Sequence, residues 1–87
     1  MITCFSKNAW EDYQYWQKTD KNLLNKINKL IKDIIRNPFD KNGLGKPERL
    51  KGDMSEFYSR RIDHEHRLVY KIDGDKLIIA QCRFHYK

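Results

Sequence analysis

Residues 56–84, EFYSRRIDHEHRLVYKIDGDKLIIAQCRF, decide the fold. Their apolar residues recur at every second position, the period of a strand whose two faces differ. The alternation divides into three strands, Glu56–Ile62, His66–Ile72 and Lys76–Phe84. Asp63-His64-Glu65 links the first pair, and Asp73-Gly74-Asp75 is a hairpin turn between the second pair. Successive side chains of a strand point to opposite faces. Leu68, Tyr70 and Ile72 therefore share one face and Arg67, Val69 and Lys71 the other, while Arg60 and Arg61 are divided between the two.

Upstream the period changes. Leu23, Leu24, Ile27, Leu30, Ile31, Ile34 and Ile35 form one stripe at helical spacing, with Lys21, Lys26, Lys29, Lys32 and Arg36 on the remaining faces. Thr19-Asp20 caps this helix and Asn37-Pro38 ends it. An earlier helix, capped by Ser6, carries Ala9, Trp10, Tyr13 and Trp16 on one face. The turn between the helices is short enough to make an antiparallel hairpin. Ile2–Phe5 reads as a short strand, and residues 40–47 as loop. The order βααβββ predicts an α+β fold, a helical hairpin packed on one face of a small antiparallel sheet, with residues 1–87 forming one domain. The sheet face away from the helices is left polar and basic.

The composition of this 87-residue chain narrows the function. No apolar run approaches the ~20 residues of a membrane span, and the N-terminus lacks the apolar core of a signal peptide. A cytoplasmic protein with no membrane partner is expected. Cys4 and Cys82 lie in apolar runs and read as reduced, buried thiols. A disulfide would require neighbouring strands. His64 and His66, with no Cys-x-x-Cys pair, make a poor metal site. The net charge of +6 is localised: residues 21–51 hold nine Lys or Arg against three Asp or Glu, and the rest of the chain balances. Such a face suits a polyanion such as RNA, or serves only as a solvated helix surface.

RNA carries its own nucleophile, the 2′-hydroxyl. A base that takes its proton, an acid that protonates the departing 5′-oxygen and a cation that stabilises the phosphorane are enough to cut it without a metal. Glu48, Arg60, Arg61, Glu65, Arg67, His85 and Tyr86 supply these types near the sheet. Spacing does not bring them together. Glu48 reads equally as a loop charge, Arg67 as a partner of Glu65 or Glu56, and His85 and Tyr86 as a frayed end. The residues by themselves leave a metal-free ribonuclease open, behind a general RNA-binding module.

The pattern of segments adds to this. Trp10-Glu11-Asp12-Tyr13 with Tyr15-Trp16, Thr19-Asp20-Lys21, Ile27-Asn28-Lys29-Leu30-Ile31-Lys32-Asp33, Pro38-Phe39, Gly45-Lys46-Pro47-Glu48 and Leu50-Lys51 occur in that order. Ser59-Arg60-Arg61-Ile62, Glu65-His66-Arg67-Leu68-Val69-Tyr70 and Cys82-Arg83-Phe84-His85-Tyr86 follow. Together they resemble the YoeB branch of the RelE/ParE toxin superfamily over nearly the whole chain. The resemblance implies a toxin of a type II toxin–antitoxin system that cuts mRNA in the ribosomal A site and leaves a 2′,3′-cyclic or 3′-phosphate end. It implies Glu48 as general base, His85 as general acid, Arg67 on the scissile phosphate and Tyr86 positioning the nucleotide. Lys51, Arg60 and Arg61 are candidates to support the phosphates. Neither cofactor nor metal is implied.

The partners implied are the ribosome and mRNA, a YefM-like antitoxin with a disordered acidic tail, a second copy of the chain, and operator DNA only through the antitoxin complex. The alternative on the same fold is a ParE-like gyrase inhibitor, a branch that lacks the combination of Glu48, Arg67 and His85. Two features depart from the pattern: a loop lengthened at Asn42-Gly43-Leu44, and Lys87 after the terminal His-Tyr.

Overall fold

The computed structural model describes residues 1–85. Strand β1 (Ile2–Phe5) leads into helix α1 (Lys7–Thr19) and helix α2 (Lys21–Arg36), followed by β2 (Glu48–Arg49), β3 (Tyr58–Arg61), β4 (Arg67–Asp73) and β5 (Lys76–Gln81). Capping sets the helix boundaries. The Ser6 hydroxyl accepts the Ala9 N–H and donates to the Ala80 carbonyl, joining the start of α1 to the sheet. Asp20 serves both helices. Its N–H closes α1 onto the Trp16 carbonyl, and its carboxylate accepts the Asn22 and Leu23 N–H groups that open α2. The helices are tied again by the Tyr13 hydroxyl, which donates to Asn28 Oδ1 at 2.8 Å.

The α+β class and the helical hairpin on one sheet face agree with the sequence pattern. The sheet has five strands rather than four and is mixed rather than antiparallel, in the order β1-β5-β4-β3-β2. Alternation along a strand identifies its faces and not its neighbours. β1 lies parallel to β5, with Cys4 beside Ile78, a ladder that only the closed tertiary structure creates. β2 is two residues long, too short to show a period, and exists through antiparallel pairing with β3. The last strand ends at Gln81, short of the expected Phe84. There the Cys82 N–H leaves the sheet for Asp12 Oδ2 (3.0 Å), and the Cys82 carbonyl accepts the Trp16 indole N–H (2.8 Å).

The core lies between the helices and the sheet: Ala9, Trp16, Ile27, Leu30 and Ile34 pack on Ile62, Leu68, Tyr70, Leu77, Ile79 and Cys82. The buried stripe of α2 is narrower than its sequence stripe, since Ile35 is exposed. Both cysteines are free thiols. Cys82 is buried as expected, whereas Cys4 is only half-buried, on the edge strand beside Ile78 and away from the core. Burial, followed by the nearby Asp12 carboxylate, pushes the Cys82 thiol up to about 12.

Candidate active site

Strand register builds the polar face. Glu48 pairs with Ser59, Ser59 with Val69, and Val69 with Gln81, so these four residues form one row across β2, β3, β4 and β5. Neighbouring strands lie about 4.8 Å apart, so the row spans roughly 14 Å. Arg61 pairs with Arg67 two residues further along, on the same face. Two guanidinium groups placed opposite one another repel. A sheet that accepts this arrangement gathers positive charge where an anion can relieve it.

The individual residues differ in how firmly they are held. Glu48, Lys51 and Arg61 are exposed. Lys51 precedes a 3₁₀ turn at Gly52–Met54, and Gly52 has φ +64°, which a side chain would strain. Arg67 is half-buried, and its Nη1 donates to the Asp63 (2.9 Å) and His66 (3.1 Å) carbonyls. This contact with the preceding turn differs from the carboxylate partners considered from sequence. His85 is exposed, and its carbonyl accepts from Gln81 Nε2 at 3.4 Å. Since Gln81 ends the row that begins at Glu48, the base candidate stands at one side of the face and the acid candidate at the other. Tyr86 lies outside the described residues.

Arg60 does not join this face. It pairs with Leu68 on the helix side and is fully buried, at 0% exposure. Its Nη1 meets Asp33 Oδ2 of α2 and the Leu44 carbonyl, and its Nε donates to the Tyr70 hydroxyl at 3.0 Å. Burial rules out contact with a substrate phosphate, so Arg60 is corrected from a phosphate-binding to a fold-holding residue. The Arg60 guanidinium holds the Asp33 carboxyl below its ordinary value of 3.8, helped by the Leu44 N–H. The loop at Asn42-Gly43-Leu44 is therefore anchored. A Cβ added at Gly43 would stand 2.6 Å from Arg60 Nη1 and 2.7 Å from Asp33 Oδ2, so any larger residue would have to displace the ends of this pair.

The segment that carries His85 is fastened at three residues, Cys82, Arg83 and Phe84. Asp12 and Trp16 hold Cys82. The Arg83 guanidinium lies 3.5 Å from the Tyr15 ring centroid. The Phe84 N–H donates to His66 Nδ1 at 2.8 Å, and the Phe84 carbonyl accepts the Arg67 N–H at 3.0 Å. His66 is shaped in turn by Asp63, whose Oδ1 accepts the Glu65 and His66 N–H groups. Burial raises the Asp63 carboxyl, but these two donors outweigh it and the net shift is downward. Asp12, Trp16 and His66 are supports that the sequence does not announce. The spacing of His66 from His64 suggested only a poor metal site.

A groove of about 610 Å³ borders Glu48 at the β2 edge. Phe39 and Tyr58 line it beside charges of both signs, Lys41 and Arg49 with Asp40 and Glu48.

A family model described as a YoeB-like toxin of bacterial type II toxin-antitoxin systems matches residues 5–86. The chain is 57% identical over 86 residues to Toxin YoeB of Escherichia coli (strain K12), covering 99% of this chain and 100% of that one. Its fold is similar to the YoeB/ParE toxin from Agrobacterium tumefaciens, with TM-score 0.94, 50% identity and coverage of 99% and 100% of the two chains. It is similar also to a chain of the heterotetrameric YoeB-YefM complex from Staphylococcus aureus, with TM-score 0.89, and to the YoeB dimer from that organism, with TM-score 0.90. Both comparisons give 50% identity and cover 99% of this chain and 98% of the other.

Proposed function

The chain belongs to the family of YoeB-like toxins of bacterial type II toxin–antitoxin systems, and from that membership we propose that it is an mRNA endoribonuclease that works on the ribosome. The observation that supports this most is the polar sheet face, which carries Glu48 at one side, the held His85 segment at the other and Arg61 and Arg67 on the strands between. On this reading the Glu48 carboxylate takes the 2′-proton and the 2′-oxygen forms a bond to phosphorus. The bond from phosphorus to the 5′-oxygen then breaks as His85 donates a proton to that oxygen, leaving a 2′,3′-cyclic phosphate. Arg67, with Arg61 and Lys51 around it, binds the non-bridging oxygens as negative charge grows on them. Tyr86 completes the set by positioning the nucleotide.

The exposure of Glu48, Lys51, Arg61 and His85 fits a site completed by its substrate's carrier. The ribosome orders the message and excludes water, two tasks that an open face cannot perform alone. The basic excess on residues 21–51 then faces ribosomal RNA. In the cytoplasm the chain is held by a YefM-like antitoxin, as in the staphylococcal complex, and forms a dimer. Operator DNA is reached through that complex.

In vitro translation of a defined mRNA, with 5′ ends mapped by primer extension, tests the proposal. Cuts within codons that require ribosomes and disappear in His85→Ala are the expected result. Intact mRNA under arrested growth would refute it and redirect attention to gyrase or to binding without cleavage.

A further inference from the structure

We propose that His66 is a positioning residue for the general acid, its Nδ1 fixing His85 relative to Arg67 through the Phe84 backbone. The inference rests on the ribonuclease reading above and extends it to a residue with no place in that chemistry. Phe84 has φ +65°, a left-handed backbone that a bulky aromatic residue adopts only when its surroundings impose it. Core packing does not impose it, because the Phe84 side chain is about half exposed. What holds it is a pair of hydrogen bonds, from the Phe84 N–H to His66 Nδ1 at 2.8 Å and from the Arg67 N–H to the Phe84 carbonyl at 3.0 Å. Consecutive residues at the head of β4 thus clamp both peptide groups of the residue before His85. Arg67 Nη1 donates back to the His66 carbonyl at 3.1 Å, so one short segment fixes the acid's support and the phosphate-binding cation together.

His66 is itself well held. It is buried, edge-on to the Trp16 ring at 4.8 Å between centroids, and its N–H is bonded to Asp63 Oδ1 at 2.7 Å. Because Nδ1 accepts the Phe84 N–H, it carries no proton, and the hydrogen bond assigns the ring to the Nε2–H tautomer. The Glu65 carboxylate stands 3.6 Å from that Nε2, on the side where a proton is required. The imidazole is therefore a fixed acceptor aimed at a strained backbone. Misplacing a catalytic group by ~1 Å costs about a hundredfold in rate.

Two amide substitutions separate positioning from bulk. Asparagine places a carbonyl oxygen near the position of Nδ1, whereas glutamine reaches the position of Nε2. In single-turnover cleavage of mRNA on programmed ribosomes, His66→Gln should lose about a hundredfold in rate with ribosome affinity unchanged. His66→Asn should recover most of that loss. Equal rates in the two variants, whether both high or both low, overturn the proposal. Nitrogen NMR of the unaltered chain reads the contact without catalysis and covers the case in which His66→Gln does not fold. An Nε2–H tautomer and a slowly exchanging Phe84 amide are expected, and an Nδ1–H tautomer overturns the proposal. If the unaltered chain cuts no message, the ribonuclease reading has failed, and the NMR result still decides whether His66 holds Phe84.

Discussion

Glu48, Arg67 and His85, the proposed reacting groups, contribute little to holding the fold. Glu48 and His85 are exposed, and Arg67 is half-buried. Glu48→Ala, Arg67→Ala and His85→Ala should each relieve growth arrest while leaving the thermal melt close to that of the unaltered chain. Loss of a general acid or base lowers cleavage by about a hundredfold to ten-thousandfold. Asp33 is the opposite case. Its lowered carboxyl reflects the bond to Arg60, so the charged form is favoured in the folded chain. That contribution is complete above the ordinary carboxyl value of 3.8 and is lost as pH falls through the lower folded value. Asp33→Asn should cost roughly 3 kcal/mol at neutral pH, the low end for a broken buried pair because Asp33 itself is partly solvated. Denaturant titrations across acidic pH should also show a weaker acid-dependent loss in the variant. The cysteines give a third residue-scale expectation. With its thiol raised to about 12 by burial, Cys82 should resist iodoacetamide at neutral pH, while half-buried Cys4 is alkylated first, as peptide mapping would show.

At the scale of elements, the helical hairpin depends on one residue at its turn. Asp20 ends α1 through its backbone and begins α2 through its side chain. Asp20→Ala removes the acceptor for two N–H groups and should lower stability by about 1 kcal/mol, measured by denaturant unfolding. The effect should reach the site, because α1 holds Cys82 through Asp12 and Trp16. Burial raises the Asp12 carboxyl, while the Cys82 N–H works in the opposite direction. The segment after β5 is thus an element defined by its attachments: it leaves the sheet at Cys82, crosses Tyr15 through Arg83 and turns left-handed at Phe84.

At the scale of the whole molecule, the two sides have different work. One side of the sheet is covered by helices and forms the core, and the other carries the row from Glu48 to Gln81, buried at Ser59 and Val69, with Arg61 and Arg67 beside it. The outer surface of α2 carries Lys21, Lys29, Lys32 and Arg36, all exposed. If this surface meets ribosomal RNA, Lys29→Glu combined with Lys32→Glu should weaken ribosome binding. The slope of log affinity against log salt should fall by about 2, since each lost phosphate contact removes about 1. An unchanged slope would show that α2 faces solvent.

The sequence by itself determined the local features of this protein. Period 3.6 in residues 23–35, caps at Ser6 and Asp20, the Asp73-Gly74-Asp75 turn and period 2 from residue 56 are short-range, and each is realised in the structure. Tertiary structure decided what depends on contacts between distant residues. The parallel ladder of β1 on β5 joins the first residues to nearly the last, and β2 owes its existence to β3. Alternation already put adjacent Arg60 and Arg61 on opposite faces, but only the tertiary structure showed that Arg60 enters the core against Asp33 while Arg61 stays exposed. His66 meets Phe84 only because the chain folds back across the head of β4 after β5. A periodic pattern records which face a side chain takes, because that follows from backbone geometry alone; which partner waits there is set by chain closure over dozens of residues, and no local pattern carries it.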